Sequence, residues 1–364
     1  MSWRQILRWT TIFPIVSFIV LAISWFNHPP MWLLIIEVVF LVGSVLAAVH
    51  HAELIAHKIG EPFGSLLLAV AVTIIEVALI LTLMLSGKGD TATLARDTVF
   101  AAVMLTMNGI VGISLLVGAH KYHLAVFNPE GTGSALGAVI LLATLTMVLP
   151  RFTTSSPRPQ FVSAQLTFVA IAAIVVYGLF VFTQTIRHRD FFLPVGDDHS
   201  EDDDEGSHAS MPGRTATIAS MILLPIALIC VVGLTKIESP AIEVGVRMLG
   251  FPPSFVGVII AIMVLLPESI AAVKAAAQNR TQISLNLGYG SAMASIGLTI
   301  PTLALTSPWL PTQLTLGLEP IQLVLLAVSS VVAVLTVVPG RAKTLHASLH
   351  LVLLAVFIFL AIVP

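Results

Sequence analysis

The sequence predicts an all-α polytopic membrane protein with about eleven transmembrane helices: one extra N-terminal helix followed by two inverted five-helix repeats. Of its 364 residues, 57% are hydrophobic and only 10% are charged, whereas soluble domains carry about 25% charged residues. The apolar residues form continuous runs, and transmembrane strands would alternate in polarity instead. A single long polar segment interrupts these runs and divides the chain into two parts.

The apolar runs have the length of membrane-spanning helices, since a bilayer core about 30 Å thick is crossed by about 20 helical residues. Turn-forming residues separate the runs, for example Asn-His-Pro-Pro at 27–30. The first run follows Arg4 and Arg8 but ends without a small-residue cleavage site, so we predict a retained helix rather than a signal peptide. The predicted spans are 10–27, 31–50, 64–86, 97–119, 133–150, 162–184, 216–236, 254–277, 283–306, 319–338 and 345–363.

The distribution of Lys and Arg predicts the orientation. If the N-terminus is cytoplasmic, eleven basic residues fall on the cytoplasmic side and six on the other. Because cytoplasmic loops are enriched in Lys and Arg, this ratio favours a cytoplasmic N-terminus and a periplasmic C-terminus in a bacterial inner membrane.

The polar segment at 185–215 is predicted to be a cytoplasmic linker. It has seven acidic residues between Asp197 and Glu205, and such a block cannot bury apolar surface. A cation-collecting or regulatory role remains open. The predicted layout is 1–30 (extra helix), 31–184 (first repeat), 185–215 (linker) and 216–364 (second repeat). Because five is odd, the second repeat would insert with inverted topology, a recurring transporter arrangement.

Two internal matches support duplication. Glu76 ends Val-Thr-Ile-Ile-Glu near the middle of the second helix of the first repeat, and Glu268 ends Val-Leu-Leu-Pro-Glu at the corresponding place in the second. In the helix that follows each, a serine stands five residues after a glycine, as Gly109 with Ser114 and Gly290 with Ser295.

The two glutamates predict a shared cation and proton site. An ionised carboxylate at the bilayer centre costs at least about 2.5–3.5 kcal/mol, and burial or a second carboxylate favours the protonated form. A cation reverses both effects, so Glu76 and Glu268 could hold either protons or a metal ion. Calcium takes six to eight oxygen ligands. Further oxygens could come from Thr73, Asn108, Ser114 and Ser295, and from a backbone carbonyl freed by Pro267. The alternative is a protonated pair that only packs.

Other polar residues lie near predicted helix ends. His50, Glu53 and His57 share one helical face, and Glu61 follows them; together they could form a cytoplasmic vestibule or an interfacial polar face. Glu37 lies about two turns into its helix, either snorkelling, packing or lining an outer ion path. The glycines beside Ser114 and Ser295 would allow close helix approach or serve the site. The lone Cys230 is predicted to be a buried small residue.

The segment from Glu53 to Glu76, with Gly60 and Gly64, resembles the first α-repeat of the cation/proton exchangers in the calcium/cation antiporter superfamily. Glu268 falls at the glutamate of the second α-repeat, and Gly290-Ser291 resembles its Gly-Ser pair. The resemblance covers nearly the whole chain and implies exchange of calcium, and also sodium or potassium, for protons. The chain departs from the family core where Gly-Asn is expected. Val72-Thr73 and Val264-Leu265 stand there, which favours monovalent cations.

Rival functions have less support in the sequence. An enzyme would need a nucleophile–base pair or a metal motif such as HExxH, and the apolar runs contain no HExxH. A channel would use rings of carboxylates, whereas one inverted pair within one chain suggests alternating access. A proton-coupled transporter of a small organic solute is the main alternative, although only three tyrosines are available for its pocket. The expected partners are cations, protons and lipid, with no cofactor. Nucleic acid is not expected without a basic stripe, and homo-oligomers remain possible.

Overall fold

The structure is a computed structural model that describes residues 9–25, 31–60, 63–85, 91–195 and 213–364. Within these ranges it has eleven long helices, and eight of them are long and apolar enough to cross a membrane. The helices are α1 (Trp9–Ser24), α2 (Met31–Ile59), α3 (Phe63–Leu85), α4 (Leu94–Tyr122), α5 (Pro129–Phe152), α6 (Ser163–Arg187), α7 (Arg214–Met248), α8 (Phe255–Ala277), α9 (281–306), α10 (Pro320–Val337) and α11 (Thr344–Ile362). The predicted polytopic all-α class is confirmed.

Two predicted spans are shorter than the observed helices. The run predicted at 31–50 continues as helix to Ile59, and the run predicted at 216–236 continues to Met248. The predicted ends were placed where polar residues begin, but a helix keeps its backbone hydrogen bonds through polar turns. In α2 the end is set by Gly60, which has φ +80° and donates its N–H to the Ala56 carbonyl, as is usual for a glycine that ends a helix.

The chain forms two compact units. Unit 1 comprises residues 1–88 and 196–245. In it, α1 packs closely on α2 and α7 at two glycines. The Phe13 ring occupies the place where a side chain at Gly43 would lie, and Leu21 does the same at Gly233. Cys230 is fully buried with its Sγ 3.5 Å from the Pro14 carbonyl, as expected of a small buried residue.

Unit 2 comprises residues 89–195 and 246–364 and has two distinct ends. At one end, the strands β1 (Ala125–Val126) and β2 (Arg341–Ala342) pair antiparallel. We call this the strand end. At the opposite end, Thr315 N–H donates to the Ala92 carbonyl at 3.1 Å, and Gly317 N–H donates to the Pro159 carbonyl at 2.9 Å.

The helices of unit 2 run in opposite directions in the two repeats. Helix α4 starts after Ala92 and ends at the strand end, whereas α9 starts at the strand end, where Gln282 Oε1 accepts from Asn128 N–H at 2.7 Å. Helices α5 and α11 leave the strands, and α10 leads to them. Helix α6 ends before Phe192, whose carbonyl accepts from Asn286 Nδ2 at 2.7 Å. The pairs α4/α9, α5/α10 and α6/α11 are therefore antiparallel, as inverted repeats require.

The predicted linker at 185–215 begins later than its boundary suggests. Helix α6 continues to Arg187, a 3-10 turn covers Arg189–Phe192, and α7 begins at Arg214. The 3-10 turn is packed against α5, since the Phe191 carbonyl fills the space beside Gly131. The acidic residues 197–205 lie outside the described residues.

Candidate ion-binding site

Glu76 lies in the middle of α3, in unit 1. Its side chain is 2% exposed, and Thr73, one turn earlier on the same face, is 7% exposed. Thr73 Oγ1 is buried and has no hydrogen-bond partner among the described residues, although a helical threonine commonly donates to the carbonyl four residues earlier. An oxygen with spare capacity therefore lies one turn from the Glu76 carboxyl, as the predicted site requires.

Glu268 lies near the middle of α8, in unit 2, and is half-buried with its Oε2 atom inside the protein. Helix α8 continues through Pro267, which has no N–H to donate to the carbonyl of Met263. That carbonyl lies about one turn before Glu268. It is the backbone oxygen that Pro267 is predicted to leave free. Ser269 donates to the Leu265 carbonyl at 2.7 Å and so is engaged with its own helix.

The helices that follow the two glutamates both contain a π-helical segment. In α4 it spans Leu105–Ile110 and includes Asn108; in α9 it spans Ser295–Thr299 and begins with Ser295. Both of these polar residues are buried. π segments widen the helix locally and often occur at functional sites. The inverted repeats thus share this irregularity in corresponding helices, which sequence matching alone did not reveal.

Asn108 is directed towards α10 and α11. Its Nδ2 donates to Ser329 Oγ at 2.9 Å, and its Oδ1 is 3.2 Å from Nδ1 of His350. His350 in turn has Nε2 3.2 Å from Thr336 Oγ1. Both ends of the amide are therefore engaged by protein groups, so the predicted ligand role of Asn108 would require this buried network to rearrange.

Ser114 is part of a second network that connects three helices. The hydroxyls of Ser114 and Ser284 are 2.5 Å apart, and Ser284 Oγ is also 2.7 Å from the Ala272 carbonyl. Ala272 lies one turn after Glu268 on α8. The structure thus places Ser114 beside the turn that follows Glu268, where it holds α4, α8 and α9 together.

The structure describes part of the face predicted to form a vestibule. On α2, Glu53 is half-buried and His57 is exposed, and the vestibule role stays a prediction. Glu61 lies outside the described residues. The neighbouring His51 was not predicted. It is buried, with Nδ1 3.0 Å from Ser220 Oγ and Nε2 2.9 Å from the Thr10 carbonyl, and it joins α1, α2 and α7.

Sequence reasoning also missed polar residues in unit 2. His350 is fully buried within α11, and the only signal for it was a histidine at the start of an apolar run, one turn after His346. Tyr289 is fully buried, and its hydroxyl has no hydrogen-bond partner among the described residues. Arg96 and Asp97 form a buried ion pair at 2.9 Å and line a cavity of about 420 Å³. None of these belongs to a motif that spacing could identify.

The glycine prediction is right at one position and wrong at another. A side-chain carbon at Gly112 would lie 3.0 Å from the Cβ of His350, so this glycine does allow α4 to approach α11 closely. A side-chain carbon at Gly290 would have no atom within 4 Å, so Gly290 is not required for close helix contact. The sequence spacing could not show which side of α9 meets a neighbour.

The family model for "Sodium/calcium exchanger protein" matches residues 29–186 and 219–363, so both halves of the chain are covered. The chain belongs to the sodium/calcium exchanger family. The predicted resemblance to cation antiporters is thereby confirmed.

Two bacterial relatives of this exchanger align over almost its full length. It is 42% identical to the "putative ionic transporter y4hA" of Sinorhizobium fredii, over 98% of this chain and 96% of that protein. It is 33% identical to the "sodium-potassium/proton antiporter ChaA" of Escherichia coli, over 95% of this chain and 94% of that protein.

A solved structure shows the same fold. The Ca²⁺/H⁺ antiporter YfkE superposes with a TM-score of 0.74 at 17% identity, over 98% of this exchanger and 100% of that chain. The exchanger is therefore a multi-pass membrane protein of the bacterial antiporter type, with inverted repeats.

Proposed function

We propose that this exchanger exports a cation in exchange for protons by alternating access, and that Na⁺ and K⁺ are its main substrates, with Ca²⁺ a further candidate. The single observation that carries the proposal is the placement of one acidic residue, Glu76 or Glu268, in the middle of the corresponding helix of each repeat of a cation exchanger. The name of the E. coli relative supports the choice of ions.

The proposed mechanism uses the two carboxylates as alternative holders of protons and a cation. A buried carboxylate is stable when protonated or when a cation neutralises it, but not when it is ionised alone. The cation would therefore be bound as protons are lost and released as they return. Thr73 and Ser295, both buried, could add hydroxyl oxygens.

The proposed ion preference rests on the amide oxygens that the core segments lack. Thr73 and Leu265 occupy the places where the family core has asparagine, so fewer strong oxygen ligands are available. Calcium requires six to eight oxygens, whereas a singly charged ion loses less hydration energy and can be held by fewer. We therefore expect Na⁺ or K⁺ to elicit faster proton movement than Ca²⁺.

The test is cation-induced proton movement in everted membrane vesicles, with Na⁺, K⁺ and Ca²⁺ offered separately. We expect Glu76→Gln and Glu268→Gln each to abolish exchange, because glutamine keeps the shape of the side chain but cannot release a proton. Glu130→Gln, which removes an exposed carboxyl at the start of α5, is the matched control and should exchange normally.

Near-normal exchange by both single variants, with normal membrane levels, would contradict the site assignment. Proton movement that needs an added organic solute, and not a cation, would instead support the solute transporter. The comparisons with known proteins do not favour that alternative.

A further inference from the structure

Unit 1 contains a second pair of acidic side chains, on α2 and α7. Glu37 and Glu238 are both 0% exposed, and the Glu238 carboxyl lies within hydrogen-bonding reach of the Glu37 carboxyl. Sequence reasoning considered a snorkelling role for Glu37, in which its carboxyl would reach water. Complete burial excludes snorkelling and agrees with helix packing, another of the three alternatives for this residue.

The two carboxyl groups have few donors around them. The Ser24 hydroxyl, at the end of α1, donates to Oε1 of Glu37. The other Glu37 oxygen and both Glu238 oxygens are buried and have no hydrogen-bond partner among the described residues. Three carboxyl oxygens are therefore left without a donor in a part of the molecule that excludes water.

No positive group of the described residues neutralises the pair. The nearest basic residue along α7 is Lys236, which is exposed and holds its ammonium 4.9 Å from the centre of the Trp25 ring. From α1, the Ser24 hydroxyl reaches the pair, and α2 contributes Glu37 itself. Among the described residues, the hydrogen bonds to the pair thus supply one hydroxyl hydrogen and no charge.

Two carboxylates in contact cannot both remain ionised in such surroundings. Each charge loses its hydration, and the two charges repel one another. One bound proton removes one of the two charges, so it reduces both the loss of hydration and the repulsion. The protonated carboxyl also becomes a hydrogen-bond donor to the other, as in carboxyl dyads that share a proton. Two buried carboxyls within hydrogen-bonding reach are the arrangement that a shared proton stabilises.

We propose that Glu37 and Glu238 form a proton-binding site, distinct from Glu76 and Glu268, in which one proton is held between the two carboxyls. The bound proton links α2 to α7 beside the end of α1. Its loss leaves two like charges facing one another and separates the helices there. The site therefore couples protonation to the packing of unit 1, and it does not depend on which ion the exchanger transports.

Infrared difference spectroscopy of the purified full-length protein in lipid nanodiscs tests this proposal, because a protonated carboxyl has its own carbonyl stretching band. The spectra are recorded as a function of pH in a Glu76→Gln/Glu268→Gln background, which removes the transport carboxyls from the signal. We expect a carboxyl band at neutral pH that disappears on further alkalinisation. Adding Glu37→Gln or Glu238→Gln should each remove the band at neutral pH, since the new amide donates to the remaining carboxylate.

Glu130→Gln, added to the same background, is the control and should leave the band unchanged. A neutral-pH band that survives both Glu37→Gln and Glu238→Gln would overturn the proposal, as would the absence of any band in the background. A band that appears only after Na⁺, K⁺ and Ca²⁺ are removed would also overturn it, because the pair would then hold a metal ion. If the background variants do not fold, the same substitutions are compared in the otherwise unchanged chain.

Discussion

Arg96 binds two carboxylates that differ in exposure. Its Nε is 2.9 Å from Asp97 Oδ1, and its Nη1 is 2.9 Å from Glu319 Oε1 and 3.3 Å from the Gly317 carbonyl. The Asp97 side chain is 4% exposed, whereas that of Glu319 is 51% exposed. One guanidinium therefore offers a direct comparison of a buried and a solvated ion pair within unit 2.

We predict that Asp97→Ala destabilises the protein much more than Glu319→Ala. Removing one partner of a buried pair costs about 3–5 kcal/mol, and Arg96 would then keep only the exposed Glu319, whereas an exposed pair contributes about 0–1 kcal/mol. Thermal unfolding in detergent measures both. Similar losses of melting temperature in the two variants would mean that burial does not decide the strength of this network.

Helices α4 and α8 meet at a glycine. A side-chain carbon at Gly257 would lie 2.8 Å from the Thr98 backbone nitrogen and 2.9 Å from the Asp97 carbonyl carbon. Backbone atoms cannot move aside as the end of a flexible side chain can. The distance between α4 and α8, the helix that carries Glu268, is therefore set by the absence of a side chain at this position.

Gly257→Ala is expected to push the two helices apart and to cost about 1–3 kcal/mol of stability, the usual range for overpacking. Exchange activity should fall as well, since α8 carries Glu268. Gly178→Ala in α6 is the control, because no atom lies within 4 Å of its new methyl group. The prediction fails if both variants unfold at the same temperature as the parent protein.

At the scale of the whole molecule, the number of crossings decides on which side each segment lies. The Phe192 carbonyl is bound at the strand end of unit 2, whereas α8 begins at the opposite end beside Asp97. The chain therefore leaves unit 2 at one end and re-enters it at the other. Five helices, α7 to α11, separate the acidic segment from the C-terminus.

We predict that reporters placed near Asp203 and after Pro364 lie on opposite sides of the membrane, cytoplasmic and periplasmic respectively. The odd number of helices requires opposite sides, and the excess of Lys and Arg selects which side is cytoplasmic. Paired fusions to a reporter active only in the cytoplasm and one active only in the periplasm measure this. Both positions on one side would contradict the inverted repeats.

Deleting residues 197–205 should leave the maximal exchange rate largely unchanged and at most raise the KM for the cation. Charges in a solvated segment are screened within about 8 Å, whereas the bilayer midplane is about 15 Å from the surface. Initial rates against cation concentration, at low and high ionic strength, distinguish the two effects. A collapse of the maximal rate with normal membrane insertion would make this segment part of the transport machinery.

The sequence by itself determined the class of the protein and its inverted duplication, and it predicted Glu76 and Glu268 as the ion-binding pair. A continuous apolar run is stable in a bilayer as a helix, because the helix provides a hydrogen-bond partner for each of its backbone groups. A carboxylate inside such a run is costly enough to mark a function. These properties depend on local composition, so they can be read along the chain without knowledge of its folding.

Only the tertiary structure decided which faces of the helices meet. A uniformly apolar helix shows little difference between its sides, and so the sequence could not predict that Asn108 meets His350, or that Gly112 is packed and Gly290 is not. The contact between Glu37 and Glu238 joins residues about two hundred positions apart in the chain. Its chemistry follows from burial and from the presence of only one donor, Ser24, among the described residues that hydrogen-bond to the pair, and both exist only once α1, α2 and α7 are packed together.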